Sequence, residues 1–186
     1  EIVTPVGEKL DIEMAREGAI LKSIEMLHSG VTYVNDMFVH SNPKIMASLG
    51  VVEGLKTVGI RGCVSFGAED CPDGVTSSKS DNIDRIMQEH FDLESSVRDN
   101  DLIDFRLGIG TLLGQTDNLL SQSIKVCKQF GWKVHTHLLE AREEIVHSSL
   151  RWACKPLKHA KDAGLLDLDL TAAHMIWANE SDISLL

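Results

Sequence analysis

Apolar residues along this chain follow two rhythms that alternate from end to end. One recurs every third or fourth residue, the spacing of a helix face. The other is a short unbroken run of the kind a buried strand shows. Asp11 to Ser29 predicts the first long helix, with Leu10, Met14, Leu21 and Ile24 near one face, Ile20 and Leu27 beside them, and Gly30 as a left-handed stop. Val31 to Met37 predicts a strand that runs out in Asn35-Asp36, a pair suited to an Asx turn. Ser41 or Asn42 caps a second helix with Pro43 in its first turn and Ile45, Met46, Leu49, Val52 and Leu55 along it. Gly50 and Gly54 weaken that helix and Gly59 ends it. Ile60 to Phe66 reads as the next strand, and Gly67 to Lys79 as a polar loop.

Ser80 caps a third helix carrying Ile83, Met87, His90, Phe91 and Val97, broken by Asp99 to Asp101. Leu102 to Ile109 predicts one further strand. Thr116 caps a helix with Leu119, Leu120, Cys127 and Phe130 on one face, stopped by Gly131. Val134 opens another strand. Helix resumes after Glu140 to the neighbourhood of Trp152, and Pro156 opens a short one that ends at Gly164. Leu170 to Met175 is the last strand, and Ser181 caps a helix that has only begun at Leu186. Strict alternation of this kind implies parallel strands joined by right-handed helical crossovers. The fold class is α/β, and two architectures fit: an open doubly wound sheet and a (β/α)8 barrel. With only five strands, a barrel is partial.

An open nucleotide-binding sheet would place a glycine-rich phosphate loop after its first strand, and Asn35-Asp36-Met37-Phe38 is a poor one. Gly108-x-Gly110-x-x-x-Gly114 follows a strand and precedes a helix, but it misses the dinucleotide spacing and lacks the lysine of a P-loop. Close packing of helix on strand explains those glycines better.

Composition narrows the classes of partner. The 186 residues suffice for one domain, 1–186, and the 43% hydrophobic and 25% charged shares are those of an ordinary globular chain. A formal net charge of −10 argues against nucleic acid and anionic membrane surfaces as partners. No apolar run is long enough to span a bilayer, and no basic-then-apolar leader opens the chain, so a cytoplasmic location is expected. Cys63, Cys71, Cys127 and Cys154 are scattered, which suits free thiols in a reducing compartment. The chain opens at Glu1-Ile2-Val3 without methionine and closes inside a helix, so both ends read as cut.

Candidate chemistry concentrates in Val134-His135-Thr136-His137-Leu138-Leu139-Glu140. Alternate residues of a strand share a face, so His135 and His137 point the same way and Glu140 lies just beyond, on the loop. Neutral imidazole holds a divalent metal, and a nearby carboxylate can move protons. His174 stands where the last apolar strand meets its loop. The other polar residues read more simply. His28 and His90 are helix packing or surface residues; His40, His147 and His159 are solvated; Glu143-Glu144 is a charged helix face; and Arg142 is placed to orient Glu140.

Several segments together resemble one family. Glu25 through Met37, with Gly30-Val31-Thr32-Tyr33-Val34-Asn35-Asp36-Met37 at its end, looks like the helix and second strand of the amidohydrolase superfamily, aminohydrolase and chlorohydrolase branch. That branch includes guanine and 8-oxoguanine deaminases, adenosylhomocysteine and methylthioadenosine deaminases, and triazine hydrolases. His135-Thr136-His137-Leu138-Leu139-Glu140 is similar to its fifth strand. Pro156 through Leu166, then Ala172-Ala173-His174, is similar to its sixth helix and strand, and Glu180 to Leu186 continues the match.

The resemblance implies a partial (β/α)8 barrel, strands 2 to 6 with their helices, and metal-dependent hydrolysis of a C–N or C–halogen bond in a nitrogen heterocycle. One divalent metal, zinc or iron, is implied in the complete enzyme. His137 resembles a metal ligand, Glu140 the acid/base that protonates a ring nitrogen, and His174 a residue contacting the water or substrate. Gln115 stands where it could contact the substrate, a small heterocycle; Trp177 reads first as packing helix on strand, with lining of the substrate pocket as its alternative role. The chain departs from the family pattern in lacking the His-x-His of a first strand and the aspartate of an eighth, so it supplies one of four expected ligands. Ile109 to Gln115 also stands where many members carry a histidine-bearing loop. The alternative is a non-catalytic α/β binding module, whose exposed end strands would favour a homo-oligomer.

Overall fold

The structure is a computed structural model and describes residues 6–40, 44–71 and 81–186. They fall into two compact units, Glu1–Gly67 with Asp84–Arg106, and Ala68–Ile83 with Leu107–Leu186. Each is an α/β unit built on three parallel strands.

In the first unit, helix α1 (Ile12–His28) leads into strand β1 (Tyr33–Phe38), helix α2 (Ser48–Val58), strand β2 (Arg61–Phe66), most of helix α3 (Asp81–Val97) and strand β3 (Ile103–Phe105). The order is β1-β2-β3, in register from Tyr33↔Arg61 to Phe38↔Phe66 and from Gly62↔Ile103 to Val64↔Phe105. Asp11 caps α1 by accepting from the Met14 N–H at 2.8 Å, and Gly30 ends it at φ 87°.

The buried face of α1 is not the expected one. Met14 (56%), Leu21 (56%), Ile24 (43%) and Leu27 (41%) are exposed, and Ala15 and Ser23 are buried instead. Small residues win because α1 lies close against α2. A Cβ on Gly50 would stand 2.1 Å from the Ile12 carbonyl oxygen, and one on Gly54 would stand 2.6 Å from the Ala19 Cβ. Those glycines therefore create the contact, and α2 runs unbroken through both. The proposed caps Ser41, Asn42 and Ser80, and Pro43, lie outside the described residues, as does Pro72 to Lys79 of the predicted loop. Asn35 and Asp36 form no Asx turn: both sit inside β1, paired with Cys63 and Val64.

The predicted strand Leu102–Ile109 is divided at Arg106 into β3 and β4 (Leu107–Thr111), which makes six strands among the described residues where five were expected. The Arg106 N–H donates to the Val64 carbonyl at 3.2 Å, and the next N–H, of Leu107, donates to Lys133 at 2.8 Å. Consecutive amides thus serve different units.

The second unit continues from β4 through helix α4 (Asp117–Phe130), strand β5 (Val134–Leu138), helices α5 (Arg142–Trp152) and α6 (Pro156–Ala163), strand β6 (Leu170–His174) and the short helix α7 (Glu180–Ile183). The order is β4-β5-β6, all parallel. Thr116 caps α4 and is itself held by Asp70, whose two carboxylate oxygens accept from the Thr116 N–H (2.7 Å) and hydroxyl (2.6 Å). Asn179 rather than Ser181 caps α7; its side chain accepts from the Ser181 and Asp182 N–H groups. Ile109, Leu119, Val134, Leu138, Leu157 and Leu165 are fully buried at the centre of this unit. Phe130, expected on the same helix face, is half exposed at the last turn of α4 and stacks on Trp132. Burial pushes the Cys127 thiol up to about 12, and none of the four cysteines is in a disulfide. No helix among the described residues is long and apolar enough to cross a membrane.

Candidate functional site

Parallel pairing of β5 with β6 sets Leu138 beside His174 and His137 beside Ala173. The polar ends of both strands therefore finish together. The rings of His137 and His174 lie 5.1 Å apart, and the His174 Nε2 is 3.5 Å from the Glu140 Oε2. His135 shares the His137 face, with ring centroids 6.0 Å apart, but it is buried within the strand. His137 is half-buried. Its burial first, and the neighbouring His174 imidazole second, hold its pKa below the ordinary histidine value, against the opposing pull of Glu140 and Glu144. It is therefore neutral at pH 7, the form in which an imidazole lone pair can bind or accept.

Both strand ends are held in unusual backbone geometry. Leu139 (φ 53°), His174 (φ 72°) and Met175 (φ 54°) occupy the left-handed region without being glycine. Such residues persist only where the surroundings fix them. Here the Met175 N–H donates to the Leu138 carbonyl (2.9 Å) and the Trp177 N–H to the Leu139 carbonyl (3.1 Å), tying the two loops together.

Glu144 is the residue that sequence reasoning undervalued. It is no simple surface charge: its carboxylate accepts from the N–H groups of Leu139 (2.9 Å), Glu140 (2.7 Å) and Ala141 (3.0 Å). It thereby fixes the loop that presents Glu140. The signal was available, since a glutamate at the third position of a helix is the usual partner of the unpaired amides ahead of it. Arg142 does not turn to Glu140; its guanidinium lies 5.8 Å from the centre of the half-exposed Trp177 ring. Gln115 is buried (1% exposed) in the loop after β4, where its Nε2 donates to the Ala68 carbonyl at 2.6 Å.

Three other histidines depart from the sequence reading or refine it. His40 is buried rather than solvated: its Nε2 is 2.8 Å from Glu89 Oε1, which also accepts from the Ser48 hydroxyl at 2.6 Å, while Arg85 reaches Oε2 at 3.0 Å. His90 is fully buried between Phe66 and Phe105, and desolvation takes its pKa down to about 4. His159 is part-buried and stacks on Trp152 with ring centres 3.8 Å apart.

A metal ligand was expected at His137, and its neutral, half-buried imidazole fits one ligand position. The described residues form no group of three or more His, Cys, Asp or Glu side chains able to hold a metal. A tetrahedral site takes four ligands. These residues therefore fit part of a metal site and do not make one by themselves.

The model of the amidohydrolase family matches residues 5–186, and the chain belongs to that family. It is 28% identical over 189 residues to a 5'-deoxyadenosine deaminase of Methanopyrus kandleri, covering 100% of this chain and 40% of the relative. It is 25% identical over 187 residues to a 5-methylthioadenosine/S-adenosylhomocysteine deaminase of Aquifex aeolicus, again covering 100% of the chain and 41% of the relative. Among solved structures, it resembles an adenosine deaminase from Xanthomonas campestris with bound zinc. That match has a TM-score of 0.80 and 25% identity, covering 97% of this chain and 39% of that one. The chain thus spans about 40% of the length of these relatives.

Proposed function

We propose that this chain forms part of the catalytic barrel of a metal-dependent hydrolase of the aminohydrolase type, a partial (β/α)8 barrel of strands two to six within one domain, 1–186. The reaction is hydrolysis of a C–N bond in a nitrogen heterocycle, with release of ammonia. The observation that supports it is the convergence of His137, His174 and Glu140 at the C-terminal ends of adjacent parallel strands. Loops at those ends are where such barrels carry their chemistry.

A divalent metal, when bound, supplies a water of lowered pKa. His137 offers it one neutral nitrogen. Glu140, exposed on the loop that Glu144 holds, carries a proton between the attacking water and a ring nitrogen of the substrate. His174 is within reach of Glu140 and orients the water or the substrate. Trp177, with Arg142 against its ring, offers a flat face for a heterocycle. Gln115 serves this site through the backbone of Ala68.

Relatives that deaminate 5'-deoxyadenosine and 5-methylthioadenosine make adenine nucleosides the first substrate class to try. The test is ammonia release by the whole protein from adenosine, 5'-deoxyadenosine and 5-methylthioadenosine, with the bound metal assayed alongside. Turnover that needs zinc or iron is the expected result. A protein that binds these nucleosides but releases no ammonia from any would support the non-catalytic binding module instead.

A further inference from the structure

Glu69 lies in the segment that follows the β2 strand in sequence, within the second unit, and nothing in the reading above uses it. Its side chain lies across Gly110 of β4 and Gly114 of the loop that follows it. A Cβ on Gly110 would stand 2.7 Å from the Glu69 Cγ and Oε1, and one on Gly114 would stand 2.4 Å from its Cδ and Oε1. Neither glycine has a positive φ, so no turn geometry demands them. Their shared effect is to leave room for a carboxylate. At Gly110 and Gly114 this argues against a phosphate cradle, since an acidic group there repels phosphate.

The carboxylate is also aimed. Its Oε1 accepts from the Thr111 hydroxyl at 2.9 Å, and the preceding residue is fixed by the Gln115 amide on the Ala68 carbonyl. Thr111 is the register partner of His137 on the neighbouring strand, just past an irregularity in the pairing at Ile109 to Thr111, which sets Glu69's anchor beside the His137 strand end. Across the ends of β4, β5 and β6 runs a row of Thr111, His137 and His174, with Glu69 bonded to one end and Glu140 beside the other. Glu69 is only part-buried, and burial raises its carboxyl above the usual range against the hydrogen bonds from Thr111.

We propose that Glu69, seated over Gly110 and Gly114 and anchored by Thr111, reads the substrate: it accepts a hydrogen bond from an O–H or N–H group remote from the reacting ring carbon and rejects anionic substituents there. The site would thus take neutral or cationic nucleosides and exclude their phosphate esters. This rests on the hydrolase reading above and adds the chemistry of the far end of the substrate.

The test compares equilibrium binding of adenosine and adenosine 5'-monophosphate to the whole protein and to Glu69→Gln, with ammonia release measured on the same samples. Gln keeps an acceptor for Thr111 and removes the charge. The wild type should prefer the nucleoside, and E69Q should narrow that preference by ~10-fold or more, since a unit charge within several ångströms of a phosphate is felt strongly in a partly buried site. Gly114→Ala provides an independent variant, because its Cβ must displace the flexible Glu69 side chain; it should narrow the preference in the same direction. An unchanged preference in a folded variant overturns the role of Glu69 while leaving the hydrolase reading intact wherever ammonia is still released. If the wild type binds neither compound and releases no ammonia, both readings fall together.

Discussion

The Nε2 of His174 stands 3.5 Å from the Oε2 of Glu140, and His174 is itself held at φ 72°. An imidazole of the candidate site is thus presented by a backbone that most residues resist. Asparagine tolerates the left-handed region, whereas a β-branched residue does not. His174→Asn should stay within roughly 0.5 kcal/mol of wild type in urea denaturation, and His174→Val should lose ~1–2 kcal/mol more. Equal stability of the two variants would mean that the turn is not fixed by its surroundings.

Glu144 gathers three backbone N–H groups that otherwise have no partner. Glu144→Ala should lower stability by about 1–2 kcal/mol, the usual effect of removing a helix cap. Because the freed loop carries Glu140, kcat should fall more than KM rises. Glu144→Gln, which can still accept from part of the set, should recover some of both. Unaltered kcat in E144A would separate the loop from the chemistry.

Gly18 and Gly50 are both helical glycines with opposite surroundings. An alanine at 50 would press into the Ile12 carbonyl, while nothing lies within 4 Å of a Cβ at 18. Gly50→Ala should destabilise by ~2 kcal/mol or more through overpacking. Gly18→Ala should stabilise by about 0.5–1 kcal/mol through helix propensity. Chemical denaturation of the two variants checks the signs.

Asp36 has a buried Oδ2 with no hydrogen-bond partner, in a mostly apolar cavity of about 310 Å³ between α1, β1 and α2. Burial raises its pKa from 3.8 to about 6. A raised carboxyl contributes stability that is complete below pH 3.8 and is lost as pH rises through about 6. The loss amounts to roughly 3 kcal/mol at one pH unit per 1.36 kcal/mol. His90, lowered from 6.5 to about 4, runs the other way across that window, so the Asp36 contribution is read as the difference between wild type and variant. Asp36→Asn should gain on wild type as pH rises from 3.8 to about 6 and hold that gain above it. A difference independent of pH would place the carboxylate in water.

Much of this was legible in the residues because it is local. Thr116 and Gly131 bound α4, Pro156 and Gly164 bound α6, and alternating periods gave parallel strands, all from chemistry within a few positions. The juxtaposition of His137, Glu140 and His174 was implied by the family resemblance; strand period alone would set His174 on the Leu138 face, and its left-handed backbone brings its ring to His137. What escaped was set by distant neighbours. The exposed side of α1 depends on how closely Gly50 and Gly54 let α2 approach, and the burial of His40 depends on Glu89, 49 residues away. The Gly110 and Gly114 spacing suggested packing in sequence, and only the fold shows that Glu69 fills the space.

The most direct test of the account is the steady-state kinetics of Glu140→Gln in the whole protein, with 5'-deoxyadenosine as substrate. Gln keeps the size of the side chain and cannot carry the proton. Loss of one positioned proton-transfer group predicts a kcat lower by roughly 100-fold or more, with KM nearly unchanged and the bound metal retained. Wild-type kcat in this variant would contradict the assignment of proton transfer to the His137, Glu140 and His174 cluster.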